Sequence, residues 1–433
     1  MRMHFLPDTP VQAEGEDVLQ FGAFAEQVCA AIQSTRPPFV FGVLGDWGTG
    51  KTSVLRLVEM RCQAQADYIP IWFDAWRYEN EDNILYPLLH AIRQRHEQVP
   101  GAGSHGFTRA FVEAAVTSAL VLTDLGLRGA TRALMGQSYK LEEVGDWLSR
   151  VRENKEAVAA ALEGWTDEVG KLQEAFDALL QAFAADVRPD APEAVRFVFL
   201  IDDLDRCLPD TTIKLLESIK NHLSVPNAIF VLALNAAVVY KGIRHKYGGV
   251  EVSGREYLEK ILNFTFYVPE PAPERVKAFA EAQIQQILPE EADRERLAEP
   301  LRQFGIVLET CHFSNPRKIK RILNRYLLFL DRPEQDRARF HLPSAIRLLV
   351  LAEYFPAVFQ ILRDFIQDKS PTETFEPEQF KAYYHDQTGD HLFNRFPQMA
   401  IMHRLLELRE RTNKDARLLR EHVAEVYRLT RFI

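Results

Sequence analysis

Eight residues constrain this chain more than any other feature: Gly45-Asp46-Trp47-Gly48-Thr49-Gly50-Lys51-Thr52. They fit the phosphate-loop pattern G-x-x-x-x-G-K-[ST], which carries meaning only between a strand and a helix. Both flanks are present: Phe39 to Leu44 reads as a short buried strand, and Ser53 to Met60 has the apolar spacing of a helix. The glycines let successive backbone N–H groups close around a polyphosphate, with the helix N-terminus aimed at its oxygens. Gly45, Asp46, Trp47, Gly48, Thr49, Gly50 and Ser53 are therefore candidate nucleotide contacts. Lys51 would neutralise the β- and γ-phosphates, and the Thr52 hydroxyl would hold Mg²⁺. The plainer reading is a glycine-rich turn without a ligand, and the strand and helix on either side argue against it. A nucleoside triphosphate is the expected ligand.

A second segment complements the first. Val195 to Ile201 is nearly all apolar, as a central parallel strand buried on both faces should be, and it ends in Asp202-Asp203-Leu204-Asp205-Arg206. Acids at the C-terminal end of such a strand lie where open α/β sheets bind their ligands. Asp202 is placed to hold the hydration shell of Mg²⁺, and Asp203 to polarise an attacking water as a general base. Solvated acids feeding a turn would explain the segment alone, but not its pairing with the loop upstream.

With 433 residues, 47% of them hydrophobic, the chain can bury a large core across two or three domains. A net charge of −9 excludes a bulk polyanion binder and leaves a local basic face open. Cys29, Cys62, Cys207 and Cys311 are far apart in sequence and form no C-x-x-C pair. That argues against a zinc site and a disulfide framework, and fits a reducing cytosol. The first residues meet Pro7 and Asp8 too early for a signal peptide. The most apolar run, Ala114 to Thr123, is too short to span a bilayer and is flanked by Glu113 and Asp124. A cytoplasmic protein without a transmembrane segment is expected.

Composition divides the chain. Residues 1–98 alternate helix and strand signals around the phosphate loop, including a strand from Tyr68 to Phe73. Residues 99–190 begin with a linker-like stretch and are otherwise helical, so they form an insertion within the α/β core. Residues 191–273 complete that core with the Asp202 strand, a strand from Ala228 to Leu234 ending at Asn235, and one from Phe264 to Val268. Residues 274–335 read as a helical lid, and 336–433 as a C-terminal helical domain. The fold class is α/β: a parallel-sheet P-loop NTPase core carrying these helical additions.

The phosphate loop with Trp47, Asp74-Ala75-Trp76-Arg77-Tyr78-Glu79, Ile201 to Cys207, Tyr257 to Ile261, and Asn315-Pro316-Arg317-Lys318-Ile319-Lys320-Arg321 occur in that order. The succession, over roughly Asp8 to Tyr326, resembles the KAP P-loop NTPases, relatives of the AAA+ and NACHT-type ATPases. The resemblance implies a Mg²⁺-dependent ATPase core followed by a helical lid. Many bacterial relatives carry transmembrane helices between the two nucleotide motifs and are linked to the membrane or to defence against phage. Here the corresponding insertion is too polar to span. The resemblance also places Asn235 at the first sensor position, where it would orient the attacking water. The alternative is a strand-end amide satisfied by local backbone. Arg317 and Arg321, one helical turn apart, resemble the second sensor region that reaches the phosphates; a solvated basic face is the alternative. Arg206 could serve a neighbouring subunit as an arginine finger, or pair with Asp203 or Asp205.

Other features read plainly. Trp72, Trp76 and Tyr78 beside a buried strand are expected to fill core. His385 and His391, near Asp386 and Asp390, fall on a loop-like stretch with no third ligand. The basic run from Arg317 to Arg325 lacks the interleaved aromatics of a single-strand binder, so nucleic acid is possible but unsupported. Asn413-Lys414-Asp415 has its aspartate one position too early for guanine reading, which leaves ATP.

Two function classes follow. One is an ATPase switch or motor acting on a protein partner, or on further copies of itself, through the insertion or the C-terminal helices. The other is a nucleotide-gated binding module with little turnover. The Asp202-Asp203 pair favours the first, and a small-molecule P-loop kinase is a distant third because the large insertion has no place in it.

Overall fold

A computed structural model describes residues 4–81, 84–99, 105–122, 168–247, 253–296, 304, 305, 308, 313–330, 342–367 and 377–388. The chain forms two units. One comprises Pro10–Glu14 and Phe21–Pro269, and the other Met1–Thr9, Gly15–Gln20 and Glu270–Ile433.

The first unit is built on a parallel sheet. Its strands are β1 (Phe39–Leu44), β2 (Tyr68–Asp74), β3 (Arg196–Asp202), β4 (Ala228–Leu234) and β5 (Phe264–Tyr267), ordered β2-β3-β4-β1-β5. Each stretch expected as a strand is one, within a residue or two at its ends. The continuous apolar runs are explained by position: β4 is buried at every residue and β3 at all but Arg196, since neighbours cover them on both sides. β4 lies between β1 and β3, so the loop after β1 and the acids after β3 flank the end of β4. That is the topology a nucleotide site needs.

Helices α1 (Gly22–Ser34), α2 (Lys51–Gln63), α3 (Leu85–Glu97), α4 (His105–Leu122), α5 (Glu168–Val187), α6 (Pro209–Asn221), α7 (Ala236–Lys246) and α8 (Gly254–Ile261) complete this unit. Helices α4 and α5 are the first and last parts of the insertion. An arm projecting from the core is the expectation for this segment, with an in-plane membrane helix over Thr108 to Arg128 as the alternative. In the described parts the apolar faces turn inward instead. Phe107, Phe111, Ala114, Phe176, Leu180 and Phe183 join one core with Leu88, Ile92 and the β2–β3 strands. An apolar stripe already buried in a core cannot also lie in lipid. Residues 123–167 lie outside the described residues.

His96 ties these helices together. Its Nε2 lies 2.8 Å from Asp186 Oδ2 on α5, its ring stacks on Phe107 of α4 at 3.6 Å, and Phe183 meets it edge-on at 4.8 Å. The sequence distance between cysteines is also misleading. Cys29 on α1 and Cys62 on α2 are buried free thiols in contact, and hydrogen bonding to Cys62 holds the Cys29 thiol below its ordinary range. No helix among the described residues is long and apolar enough to cross a membrane.

In the second unit, α9 (Pro273–Ile287), α10 (Glu291–Arg296), α11 (Pro316–Leu330), α12 (Leu342–Tyr354), α13 (Pro356–Gln367) and α14 (Pro377–Thr388) are helices. Ile319, Ile322, Leu323, Tyr326 and Leu327 form the buried stripe of α11, and Ile346, Leu349 and Val350 are buried on α12. Within the apolar run from Ala345 to Ala352, Ile346 and Leu348 to Leu351 thus pack as core. His385 lies on α14, not on a loop, whereas His391 and the runs Met399–Leu406 and Asn413–Asp415 fall outside the described residues.

Candidate nucleotide-binding site

The loop after β1 has the backbone its glycines permit. Gly48 and Gly50 take φ of 80° and 101°, in the left-handed region that side chains disfavour. At Gly50 a Cβ would also come within 2.7 Å of the Phe21 ring, which packs against the loop at the start of α1. At Gly45 a Cβ would meet Thr49 Oγ1 at 2.6 Å, so the backbone itself lines the turn. Thr49 Oγ1 donates to Asp46 O at 2.8 Å and closes the loop on itself. Ser53 Oγ accepts from the Val11 N–H at 3.2 Å, fixing an incoming segment to the first turn of α2.

Lys51 opens α2 and is buried. Its Nζ donates to the carbonyls of Gly45 at 2.9 Å and Asp46 at 3.1 Å, and lies 3.3 Å from Asp205 Oδ2. Thr52 hydrogen-bonds to the carboxylate of Asp202, the last residue of β3. Burial raises the Asp202 carboxyl, against the opposing pull of that hydrogen bond and of Lys51. A hydroxyl and a buried carboxylate in contact, with a lysine beside them, form a hard-oxygen donor set of the kind Mg²⁺ takes. A cation would also offset the desolvation that burial imposes on Asp202.

Asp203 breaks from the strand with φ 54° and ψ 24°, a left-handed conformation that aspartate tolerates better than most residues. Burial pushes its carboxyl up to about 6, with the charges of Asp202, Asp74 and Asp205 adding to the rise and Arg206 opposing it. Arg206 Nε pairs with Asp203 Oδ1 at 2.9 Å, and its guanidinium lies over the Trp76 ring at 5.2 Å. Of the two acids suggested by sequence for Arg206, Asp203 is the partner. Asn235, at the end of β4, serves both neighbours: its Oδ1 accepts from Ala237 N at 3.0 Å and caps α7, while its Nδ2 donates to Asp46 Oδ1 at 3.1 Å in the phosphate loop.

Three features escape the sequence reading. Asp205 is buried and touches both Lys51 and the Trp47 Nε1–H, the latter at 3.1 Å. Its position, three residues after Asp202 across a single 3₁₀ turn, is the signal that could have drawn attention to it. Asp74 ends β2 directly beside Asp202 in the strand register and joins the acids around Asp203. Trp76 does not fill core: it is about half exposed, as is Trp47. Tyr78 does, stacking on Phe73 at 5.5 Å, and Trp72 carries Arg56 over its ring at 3.3 Å.

Arg317 pairs with Asp8, and Arg321 and Arg325 both pair with Glu353 of α12, the latter at 2.6 Å. These contacts all fall within the second unit. Two of the three charges on this face hold α11 to α12.

A parallel five-stranded sheet with the phosphate loop after β1 and paired acids after β3 defines a P-loop NTPase core. The family model "KAP family P-loop domain" matches residues 21–329, and the chain belongs to that family. It is similar to the phage T7 exclusion protein of Escherichia coli (strain K12), with 22% identity over 382 residues. That alignment covers 85% of this chain and 48% of the relative, so the chain spans about half the relative's length. Among solved structures it is similar to the Aeropyrum pernix ORC2 protein in ADPNP–ADP complexes, at 12% identity and a TM-score of 0.36 over 98% of this chain and 96% of that one. The Aeropyrum pernix ORC1 protein in complex with DNA gives 13%, 0.32, 99% and 97%.

Proposed function

We propose that this chain binds ATP with Mg²⁺ and hydrolyses it, using the cycle as a switch on a protein partner in defence against phage. The observation that carries the reading is the contact between Thr52 and Asp202 beneath the phosphate loop, with Asp203 next in the chain. Thr52 and Asp202 would hold the Mg²⁺, which supplies charge neutralisation on the phosphates. Lys51 and the loop N–H groups bind and orient the β- and γ-phosphates, and Asn235 fixes the loop through Asp46 while presenting its amide toward the water's path. Asp203 takes a proton from the attacking water. Arg206 must leave that carboxylate, or hold only the oxygen the water does not use. Arg317 remains the candidate for a second sensor. The phage assignment rests on the similarity to the Escherichia coli phage T7 exclusion protein, and the cytoplasmic location on the cysteine usage.

The second reading, a binding module with little turnover, draws support from the same ion pair. An Asp203 engaged by Arg206 has one carboxylate oxygen taken up by the guanidinium and is less free to meet a water. One experiment separates them: steady-state ATPase rate and ATP affinity of the wild type, Lys51→Ala and Asp203→Asn with and without Mg²⁺. The switch reading expects Asp203→Asn to keep ATP and lose turnover, and Lys51→Ala to lose both. Equal loss of affinity in the two variants overturns these roles, and a wild type that binds ATP without turning it over, with or without partner proteins, favours the module.

A further inference from the structure

The Lys51 ammonium has three N–H groups. Two go to the carbonyls of Gly45 and Asp46, which leaves one for a charged partner, and Asp205 Oδ2 lies 3.3 Å away. The two loop bonds can persist while the lysine meets a phosphate, because they sit on the loop that would wrap it. The contact with Asp205 is the one a phosphate oxygen must replace. Both groups are buried, Lys51 at 8% exposure and Asp205 at 3%, so solvent does little to weaken the pair. Asp205 has another donor in Trp47 Nε1–H at 3.1 Å, on an indole that is itself 54% exposed within the phosphate loop.

From this geometry we infer that Asp205 is a positioning residue that occupies Lys51 in place of phosphate, and that Trp47 stabilises the carboxylate when nucleotide takes the lysine away. The inference rests on the reading of the loop as a nucleotide site. A nucleoside diphosphate or triphosphate then binds by exchange: the β-phosphate gains Lys51 and Asp205 keeps Trp47. Asp205 sets an affinity threshold that a ligand without a β-phosphate cannot cross, since only that group reaches the ammonium. Trp47, with its exposed ring and anchored N–H, changes environment as the exchange occurs.

Calorimetric ADP affinity in the presence of Mg²⁺ tests this on the full chain, with thermal melting to confirm folding. Asp205→Asn keeps the shape and an acceptor for Trp47 but removes the charge that competes for Lys51, so ADP should bind about tenfold tighter. Trp47→Phe removes the N–H that stabilises the abandoned carboxylate, so ADP should bind roughly threefold weaker. In the Asp205→Asn background the Trp47→Phe effect should vanish, a coupling that a merely structural role for Asp205 does not produce. Unchanged or weaker binding by folded Asp205→Asn overturns the inference. Should that variant not fold, Trp47→Phe decides alone, and unchanged or tighter binding overturns it. Lys51→Ala keeps the two ideas apart. If the wild type binds no ADP, or Lys51→Ala binds it equally well, the nucleotide site itself is wrong. If Lys51→Ala loses ADP while Asp205→Asn matches the wild type, only the exchange fails.

Discussion

Two polar pairs lie in the same unit and do opposite work. His96 and Asp186 are enclosed by Phe107 and Phe183, hold α3 to α5, and add an aromatic stack to the hydrogen bond. Lys51 and Asp205 sit at the C-terminal end of the sheet, among Asp46, Asp74, Asp202 and Asp203. The first pair has its surroundings satisfied by packing. The second has its surroundings crowded with like charge, a strained backbone at Asp203, and loop carbonyls that hold the lysine without neutralising it. The contrast separates a structural polar pair from a functional one: aromatic rings pack on the first, and carboxylates crowd the second.

The comparison breaks most sharply if its two sides are cut separately. Phe183→Ala removes a side chain with no exposed surface from the layer around His96 and should cost about 3–5 kcal/mol of stability. Chemical denaturation would read the loss, and the folded fraction should still bind ATP with wild-type affinity. Lys51→Ala should lower ATP affinity on the order of a hundredfold, and because it leaves Asp205 buried without its cation it should also cost stability. Unchanged ATP affinity in Lys51→Ala would mean that the site pair is structural after all. Next in size, His96→Ala should cost about 2 kcal/mol through the lost hydrogen bond and aromatic stack, with no change in ATP affinity.

The sequence made the strands and the phosphate loop legible because each depends on local pattern. Phe39 to Leu44 and Ala228 to Leu234 are continuous apolar runs bounded by polar residues, and Gly45 to Thr52 is a contiguous motif. What stayed hidden depends on contacts distant in the chain. Asp205 reaches Trp47 across 158 residues, and Cys29 meets Cys62 only because α1 packs on α2. The burial of α4 was misread for a related reason: an amphipathic helix shows that it has a partner, not which one. Trp76 departs from expectation because an aromatic after a buried strand reads as core, while the 3₁₀ turn at Trp76–Tyr78 carries it to the surface and sets the partly buried Tyr78 ring on Phe73 instead.

A smaller effect sharpens the comparison at Asn235, which belongs to both sides. Asn235→Ala removes the cap of α7 and the bond to Asp46 together, and should cost about 1 kcal/mol as well as ATP affinity. Asn235→Asp keeps a capping oxygen and should hold stability, but it sets a carboxylate against Asp46 and removes the amide donor. Its loss should appear in ATP binding alone. If both variants lose stability equally, the Asp46 contact is part of the framework and not of the site.

The smallest effect is a gain. The Asp203 carboxyl is raised from the ordinary 3.8 to about 6 in the folded protein, chiefly by burial and then by Asp202. A folded value above the unfolded one means that the native state favours the protonated form. The contribution is therefore fully favourable below about pH 4, declines as pH rises through 6, and becomes a cost to stability once Asp203 must ionise. Asp203→Asn removes that cost and suits the left-handed backbone at least as well. Without nucleotide or Mg²⁺, the variant should melt higher than the wild type at pH 7.5, on the order of a few degrees. The difference should shrink toward pH 5. A melting point for Asp203→Asn at or below that of the wild type at pH 7.5 would show that the Arg206 ion pair outweighs the burial of this carboxylate, and that the acid end of β3 stabilises the fold rather than drawing on its stability.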